Sequence, residues 1–309
     1  MRTTHRDYAE VSGDFHRLCR FTVANAAALR THSTWSLGRV VDWKYGLFEE
    51  KTAYPSFCDR NAHLWFDAFN ELAGYAISEN GDAGFAIITA AGYRFLFEEM
   101  LRWALDAWGG RSPRSSIEIT ARQEYEAEIL ERHGFVRRST FGMWRFDLNQ
   151  DLAPRIALAA GFSIVDMAAH PDYRAQRLMR ADGFGGKETL SEEELRHQLA
   201  FYNHMHQGPI YHAETDLCVM APDGDLVAGC EALIDARNAE ADVERVCTRA
   251  AFRRRGFARA AILECLHRLQ DMGMRAAYIA GYSREAMSLY GSLGATSKQE
   301  AYVYERGQE

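Results

Sequence analysis

Two stretches of this 309-residue chain lie 160 positions apart and carry the same local pattern. That repeat limits the fold more than any other feature. Ile117-Glu118-Ile119-Thr120 reads as a short strand, and a helical run follows that ends in Ile129-Leu130-Glu131-Arg132-His133-Gly134-Phe135. Ala277-Tyr278-Ile279-Ala280 again reads as a strand, and its helical run ends in Leu289-Tyr290-Gly291-Ser292-Leu293-Gly294-Ala295. Gly134 and Gly294 each take the place of the left-handed residue just past a helix end. Both halves then finish on an aromatic-rich strand, Met143-Trp144-Arg145-Phe146 and Tyr302-Val303-Tyr304. Upstream, Leu72-Ala73-Gly74-Tyr75 matches Val227-Ala228-Gly229-Cys230, which follows the hairpin signal Pro222-Asp223-Gly224-Asp225. The polar run Asn149-Gln150-Asp151-Leu152-Ala153-Pro154 separates the halves. The expectation is two domains of one plan, 1–150 and 155–309, in line with about 150 residues per domain.

Charge and composition exclude several classes. With 43 acidic and 36 basic residues the net charge is −7, which argues against a nucleic-acid partner. The polar start, Met1 to Asp7, has no apolar segment of the kind a secretory signal needs. No run approaches the roughly 18 apolar residues of a membrane helix. Cys19, Cys58, Cys218, Cys230, Cys247 and Cys265 form no paired motif, so reduced thiols and a cytoplasmic location are expected.

The second half reads clearly. Strands are expected near 162–167, 215–221, 226–235, 241–248, 276–281 and 299–305. Helices are expected near 172–181, 191–205, 256–272 and 284–293, the second entered by the capping-box pattern Ser191-Glu192-Glu193-Glu194. Antiparallel hairpins with one strand–helix–strand crossover make an α+β (mixed α/β) class, a mostly antiparallel sheet flanked by helices.

The chemistry concentrates in Val246-Cys247-Thr248-Arg249-Ala250-Ala251-Phe252-Arg253-Arg254-Arg255-Gly256-Phe257-Ala258-Arg259. An extended run enters a basic turn, and an amphipathic helix starts at once. A helix N-terminus offers unpaired N–H groups and the positive end of the macrodipole. Gly256 and Ala258 let an anion approach the backbone, so the segment reads as a phosphate cradle, with a solvated basic helix start as the plain alternative.

Arg253-x-x-Gly256-x-Ala258 resembles the acetyl-CoA signature of the GNAT superfamily of N-acetyltransferases. Val246-Cys247-Thr248 resembles its fourth strand, and Ala286 to Ala295 resembles its A-x-x-L-Y-x-x-x-G-F helix. Asp223 to Gly229 resembles its second hairpin. The resemblance spans about 160–306 in the family order. It implies acetyl-CoA as co-substrate, its pyrophosphate held by backbone N–H groups of Arg254, Arg255, Gly256, Phe257, Ala258 and Arg259. It implies that main-chain groups of Val246 and Thr248 pair with the pantetheine arm, and that Tyr290 protonates the leaving thiolate. It implies a carboxylate on the fourth strand that deprotonates the amine: Glu244 first, Asp242 second, with solvated edge charge as the alternative. The family's pantetheine-contacting Asn is replaced here by Ser283, a departure that puts that contact in doubt.

Cys247 reads as a small buried side chain rather than a nucleophile. His204 and His206 point about 200° apart on a helix, so no metal is expected. Together with Tyr202 and His212 they lie where the family's acceptor pocket begins. The first half lacks the signature: Phe85 to Met100 has no Arg-x-x-Gly-x-Ala, and Leu130 stands at the Tyr290 position. It is expected to be a degenerate GNAT domain. Its aromatics Trp35, Trp43, Tyr45, Phe48, Tyr54, Phe57, Trp65 and Phe66 are expected to pack a core, or in part to face the acceptor at the domain junction. The sequence thus predicts two tandem GNAT domains with one active site. It predicts acetyl transfer to a primary amine, of a small molecule first and of a peptide or protein second, in a monomer or homodimer without membrane partner. An acyl-CoA-binding sensor without catalysis is the rival from another class. An aminoacyl-transferring tandem fold acting on tRNA ranks below both.

Overall fold

A computed structural model describes residues 2–46, 51 and 57–307. A shared order of strands and helices runs twice along the chain, with one more short helix in the first pass among the described residues. The first pass is β1 (Thr4–Asp7), α1 (Asp14–Leu29), α2 (Leu37–Tyr45), α3 (Phe57–Asn61), β2 (Ala62–Phe66), β3 (Leu72–Ser78), β4 (Phe85–Thr89), α4 (Phe97–Trp108), β5 (Arg114–Thr120), α5 (Glu124–Arg132) and β6 (Val136–Asp147). The second pass is β7 (Ser163–Asp166), α6 (Tyr173–Gly185), α7 (Glu192–Met205), β8 (Leu217–Met220), β9 (Leu226–Asp235), β10 (Glu240–Thr248), α8 (Phe257–Asp271), β11 (Ala276–Gly281), α9 (Arg284–Gly291) and β12 (Ser297–Gly307). Helices α5 and α9 start 160 residues apart, and Gly134 (φ 80°) and Gly294 (φ 88°) are both left-handed, as a helix-ending glycine requires. Ser191 and Glu194 close the expected capping box on α7.

The chain divides into two compact units that do not follow the expected 1–150 and 155–309 boundary. One comprises Met1–Lys44, Glu50–Gly142 and Gln299–Glu309; the other comprises Tyr45–Glu49 and Met143–Lys298. The final strands explain the difference. β12 pairs antiparallel with β5, from Ala301 opposite Thr120 to Gly307 opposite Arg114, and Tyr304 joins the first unit's core with Ile117 and Ile119. Trp144 and Phe146 of β6 join the second unit's core. A linear reading cannot decide which sheet an aromatic strand completes.

In the first unit β1, β2, β3 and β4 form an antiparallel sheet in that order. Trp35, Trp43, Phe57, Trp65 and Phe66 are buried, which fits core packing; Phe48 and Tyr54 lie outside the described residues. The upstream sequence match needs a correction. Tyr75 points toward α1, where its hydroxyl meets Thr22 Oγ1 at 3.0 Å. Cys230 points to the other sheet face, into the core with α8 residues Ala261 and Cys265. Leu72–Tyr75 and Val227–Cys230 are therefore one residue out of structural register, and a one-residue slip turns every side chain to the other face.

His63 on β2 is buried beside Trp65 and Trp103, and burial lowers its pKa to about 4 despite a hydrogen bond with Asp7. The unfolded chain binds a proton on this imidazole below about 6.5, whereas the folded chain refuses it down to about 4. Stability from this group is therefore present above pH 6.5 and is lost as pH falls to 4. In urea unfolding, the rise in stability between pH 4 and 6.5 should be smaller in His63→Gln than in the wild type.

The second unit carries β7, β8, β9, β10 and β11 side by side, with β10 antiparallel to β9 and parallel to β11. Helix α8 covers one face through Phe257, Ala261, Ile262, Cys265, Leu266 and Leu269. Helix α6 packs against the other face, bringing Met179 to Cys218 and Cys247.

Candidate active site

Strand β10 is regular only in its first half. Its parallel pairing with β11 runs from Glu240–Ala276 to Asp242–Tyr278. Its antiparallel register with β9 shifts between Glu244 and Cys247, and Arg245 adopts φ 51° in that bulge. Beyond Asp242 the two strands part, so β10 leads Val246, Cys247 and Thr248 into the turn with an edge that an extended ligand can pair with.

The turn that follows leaves the start of the next helix uncapped. A short 3-10 turn (Ala250–Phe252) leads to Arg254 at φ 60° and Gly256 at φ 84°, two left-handed residues that reverse the chain into α8. Helix α8 starts at Phe257 with no side-chain cap and no acidic residue in its first turn. Its first N–H groups are therefore without an intrahelical acceptor, at the positive end of the dipole. A Cβ on Gly256 would meet nothing within 4 Å, so the cradle is open as well as conformationally demanding.

The arginines divide by role. Arg253 donates from Nη2 to the Gly183 carbonyl (3.0 Å) and from Nε to the Thr248 carbonyl (3.3 Å), stapling the turn to α6 and to the end of β10. Arg255 lies over the rings of Phe162, Phe252 and Phe257, each about 5 Å away. Arg259 donates to Ser292 Oγ at 2.8 Å. The side chain of Arg254 is exposed, and among the described residues it has no bonded partner. Arg253, Arg255 and Arg259 of the basic turn are thus held by the surrounding structure. Ser283 is engaged within its own helix, where its Oγ accepts from the Ala286 N–H at 3.1 Å and caps α9. That bond uses one of the hydroxyl's two acceptor lone pairs.

Tyr290 sits at the C-terminal end of α9 with its ring edge-on to Trp144, 5.9 Å between centroids, and close against Gly281. It is 6% exposed. Burial, and after it the charge of Glu244, raises its phenol above the ordinary value. The phenol therefore stays protonated at neutral and moderately alkaline pH, the form a proton donor needs. The same coupling puts Glu244 and Cys247 in Tyr290's electrostatic surroundings. Glu244 is exposed and stands opposite Glu231 of β9; Asp242 is half-buried, two residues back on the same face.

Cys247 is buried, and that burial pushes its thiol up to about 12. Only a thiolate attacks an electrophile readily. Iodoacetamide at pH 8 should leave Cys247 unmodified in the native protein and label it once the chain is unfolded, as read by peptide mass spectrometry.

A polar cluster that no sequence motif announces lies on the face that α6 covers. Gln176, Arg180, Asp216 and Glu231 are all at most 2% exposed. Arg180 donates from Nη2 to Glu231 Oε2 (2.8 Å) and to Asp216 Oδ1 (3.2 Å). Asp216 also accepts from Gln176 Nε2 (2.8 Å) and Tyr211 OH (3.0 Å), and Arg245 pairs with Glu231. One signal could have found it: Glu231 is an acid within the otherwise apolar run Leu226–Ile234. Tyr202 lines a cleft of about 500 Å³ between α6 and α7, and the His206 ring packs on Tyr173 and Tyr211. Burial holds His206 below its ordinary pKa, so it is neutral at pH 7. Among the described residues no group of three or more His, Cys, Asp or Glu is placed to hold a metal.

The equivalent turn of the first unit has no left-handed residue and is acidic. Between β4 and α4 it carries buried Leu96, and α4 opens with buried Phe97 followed by Glu98 and Glu99. Two carboxylates in the first turn satisfy the helix dipole and repel a phosphate. Leu130, fully buried on α5, occupies the place that Tyr290 holds on α9.

Residues 187–295 match the acetyltransferase (GNAT) family profile. No curated protein matches the chain. Solved structures share its fold. A GCN5-related N-acetyltransferase from Sphaerobacter thermophilus aligns at TM-score 0.66 and 19% identity, over 99% of this chain and 95% of that one. A tandem GNAT protein from the clavulanic acid biosynthesis pathway aligns at 0.67 and 11%, over 99% and 98%. A GNAT-family acetyltransferase from Colwellia psychrerythraea aligns at 0.59 and 14%, over all of both chains. With an open turn in front of α8, a parted β10 edge and a protonated phenol near them, residues 187–295 form an acetyltransferase domain of the GNAT family.

Proposed function

We propose that the protein transfers the acetyl group of acetyl-CoA to a primary amine of a small molecule, by direct attack in a ternary complex, at one site per chain in the second unit. The observation that carries this reading is the pairing of opposites. One turn is left-handed at Arg254 and Gly256 and free of acid, while its counterpart has no left-handed residue and is acidic at Glu98 and Glu99. The family uses acetyl-CoA as co-substrate. Backbone N–H groups from Arg254 to Arg259 would hold its pyrophosphate, and the main chain of Val246 and Thr248 its pantetheine arm.

In this reading Glu244 takes a proton from the ammonium, directly or through water, with Asp242 as the alternative base. The amine lone pair then attacks the thioester carbonyl carbon, the adduct's positively charged nitrogen loses a second proton to solvent, and collapse of the tetrahedral adduct breaks the C–S bond. The departing sulfur takes the Tyr290 hydroxyl proton, which solvent returns to the phenolate afterwards. A small-molecule acceptor is supported by the cleft beside Tyr202.

Calorimetric titration with acetyl-CoA, followed by a primary-amine panel read by CoA release and product mass, tests the proposal. One site per chain and an acetylated amine are expected. No binding would overturn the transferase reading, and two sites would overturn its restriction to the second unit. One site with no amine acetylated would favour the sensor.

A further inference from the structure

We infer that Asp182, near the C-terminal end of α6, is a positioning residue for acetyl-CoA. It holds the turn before α8 in the shape that leaves the first N–H groups of α8 open to the pyrophosphate. The inference deepens the acetyl-transfer reading and rests on its placement of the pyrophosphate at this turn.

The turn has no counter-charge of its own. Residues 249–259 carry Arg249, Arg253, Arg254, Arg255 and Arg259 and no acid. Like charges at this spacing repel one another, and Arg254 is held in the left-handed region that side chains disfavour. The anchors therefore come from other segments. Arg253, Arg255 and Arg259 find neutral ones, in carbonyls, aromatic rings and Ser292 Oγ. Arg249 differs, because its partners are carboxylates. Its Nε donates to Asp182 Oδ2 (3.3 Å) and its Nη1 to Asp225 Oδ2 (2.8 Å).

Asp182 is 2% exposed. Burying a carboxylate is costly unless donors are bonded to it, and here each oxygen has one. Oδ2 accepts from Arg249, and Oδ1 accepts from the Ala250 N–H at 3.2 Å. Ala250 opens the 3-10 turn, and Arg253, just past its end, donates to the Gly183 carbonyl. Two consecutive residues of α6 thus hold both ends of the 3-10 turn. A Cβ on Gly183 would stand 2.9 Å from the Cys247 Cβ, so α6 lies against the end of β10 as closely as a bare backbone permits.

The first unit supplies the contrast. Past β4 the Ala90 N–H donates to the Ala73 carbonyl, as past β10 the Arg249 N–H donates to the Val227 carbonyl, each at 2.8 Å. The two turns therefore leave their sheets in the same way. Yet α1 meets the end of β4 with a neutral amide, Asn25 Nδ2 donating to the Thr89 carbonyl at 3.1 Å. The carboxylate clamp goes with the basic turn, and the neutral contact goes with the acidic one.

The sign of the effect makes the test. Asp182 is a negative charge near the site proposed for a polyanion, so Coulomb's law alone predicts that neutralising it tightens acetyl-CoA. Positioning predicts the reverse. Calorimetric Kd for acetyl-CoA is measured on the full-length wild type, Asp182→Asn and Asp182→Ala, with circular dichroism to confirm the fold. Asp182→Ala should raise Kd roughly 10- to 100-fold, the scale of hydrogen bonds to a charged group. Asp182→Asn keeps an acceptor for the Ala250 N–H and should raise it less; it carries the test if Asp182→Ala does not fold. KM for acetyl-CoA should follow Kd, with kcat at saturation changing far less. Acetylpantetheine, an acyl donor without pyrophosphate, should be used equally well by wild type and variants. An unchanged or lower acetyl-CoA Kd in the folded variants overturns the role of Asp182 and leaves the transfer reading standing. An equal loss with acetylpantetheine also overturns it, since the damage is then not at the pyrophosphate. Failure of the wild type to bind acetyl-CoA overturns both.

Discussion

Tyr290→Phe is expected to lower kcat by roughly 10²- to 10⁴-fold, the usual scale for loss of a positioned acid or base. The ring that packs on Trp144 and against Gly281 is retained, so fold and acetyl-CoA affinity should stay close to wild type. What disappears is the hydroxyl, whose burial keeps it protonated well above neutral pH. Single-turnover CoA release and calorimetric Kd separate the two effects. A variant with unchanged kcat under rate-limiting chemistry would falsify the role of Tyr290 as proton donor. A large loss of acetyl-CoA affinity would instead make it a packing residue.

The second large effect concerns binding. Gly256→Asp should weaken acetyl-CoA on the order of 100-fold, because a carboxylate about 4 Å from a phosphate costs between about 1 and 4 kcal/mol as the effective dielectric falls from 80 to 20. Gly256→Ala should weaken it by about 30-fold at most. The Cβ meets nothing within 4 Å, and its cost is the left-handed backbone at φ 84°, roughly 1–2 kcal/mol. At saturating acetyl-CoA, kcat should be near wild type in both, since neither touches Tyr290 or Glu244. Titration calorimetry with steady-state kinetics checks this. Equal affinities in the aspartate and alanine variants would mean that no phosphate sits at this turn.

The site was legible where chemistry depends on neighbouring residues. Gly256 was readable because a residue without Cβ lets an anion approach the backbone at a helix entry. Tyr290 was readable because Ala286, Leu289, Tyr290 and Gly294 hold fixed places on one short helix. Ser283 was legible as a departure, whereas its capping bond to Ala286 depends on where α9 begins. Arg253 and Arg255 read as free positive charge in a run of three. Their fate depends on Gly183 and Phe162, residues some 70 and 90 positions away that no local pattern connects to them. Of the Arg180 cluster only Glu231, an acid in an apolar run, left a trace in the sequence, because the cluster gathers α6, β9, β10 and the segment before β8.

The tandem plan, the α+β class and nearly every element of the second half follow from the order of residues alone. Hydrophobic periodicity, caps and turn residues act over a few positions, so they are written along the chain. Three outcomes required the folded chain: which unit each final strand completes, which face Tyr75 and Cys230 occupy, and which charges are buried together. All three depend on packing between segments far apart in the chain. A one-residue register shift or an exchanged strand leaves local propensity unchanged and alters only what is buried against what.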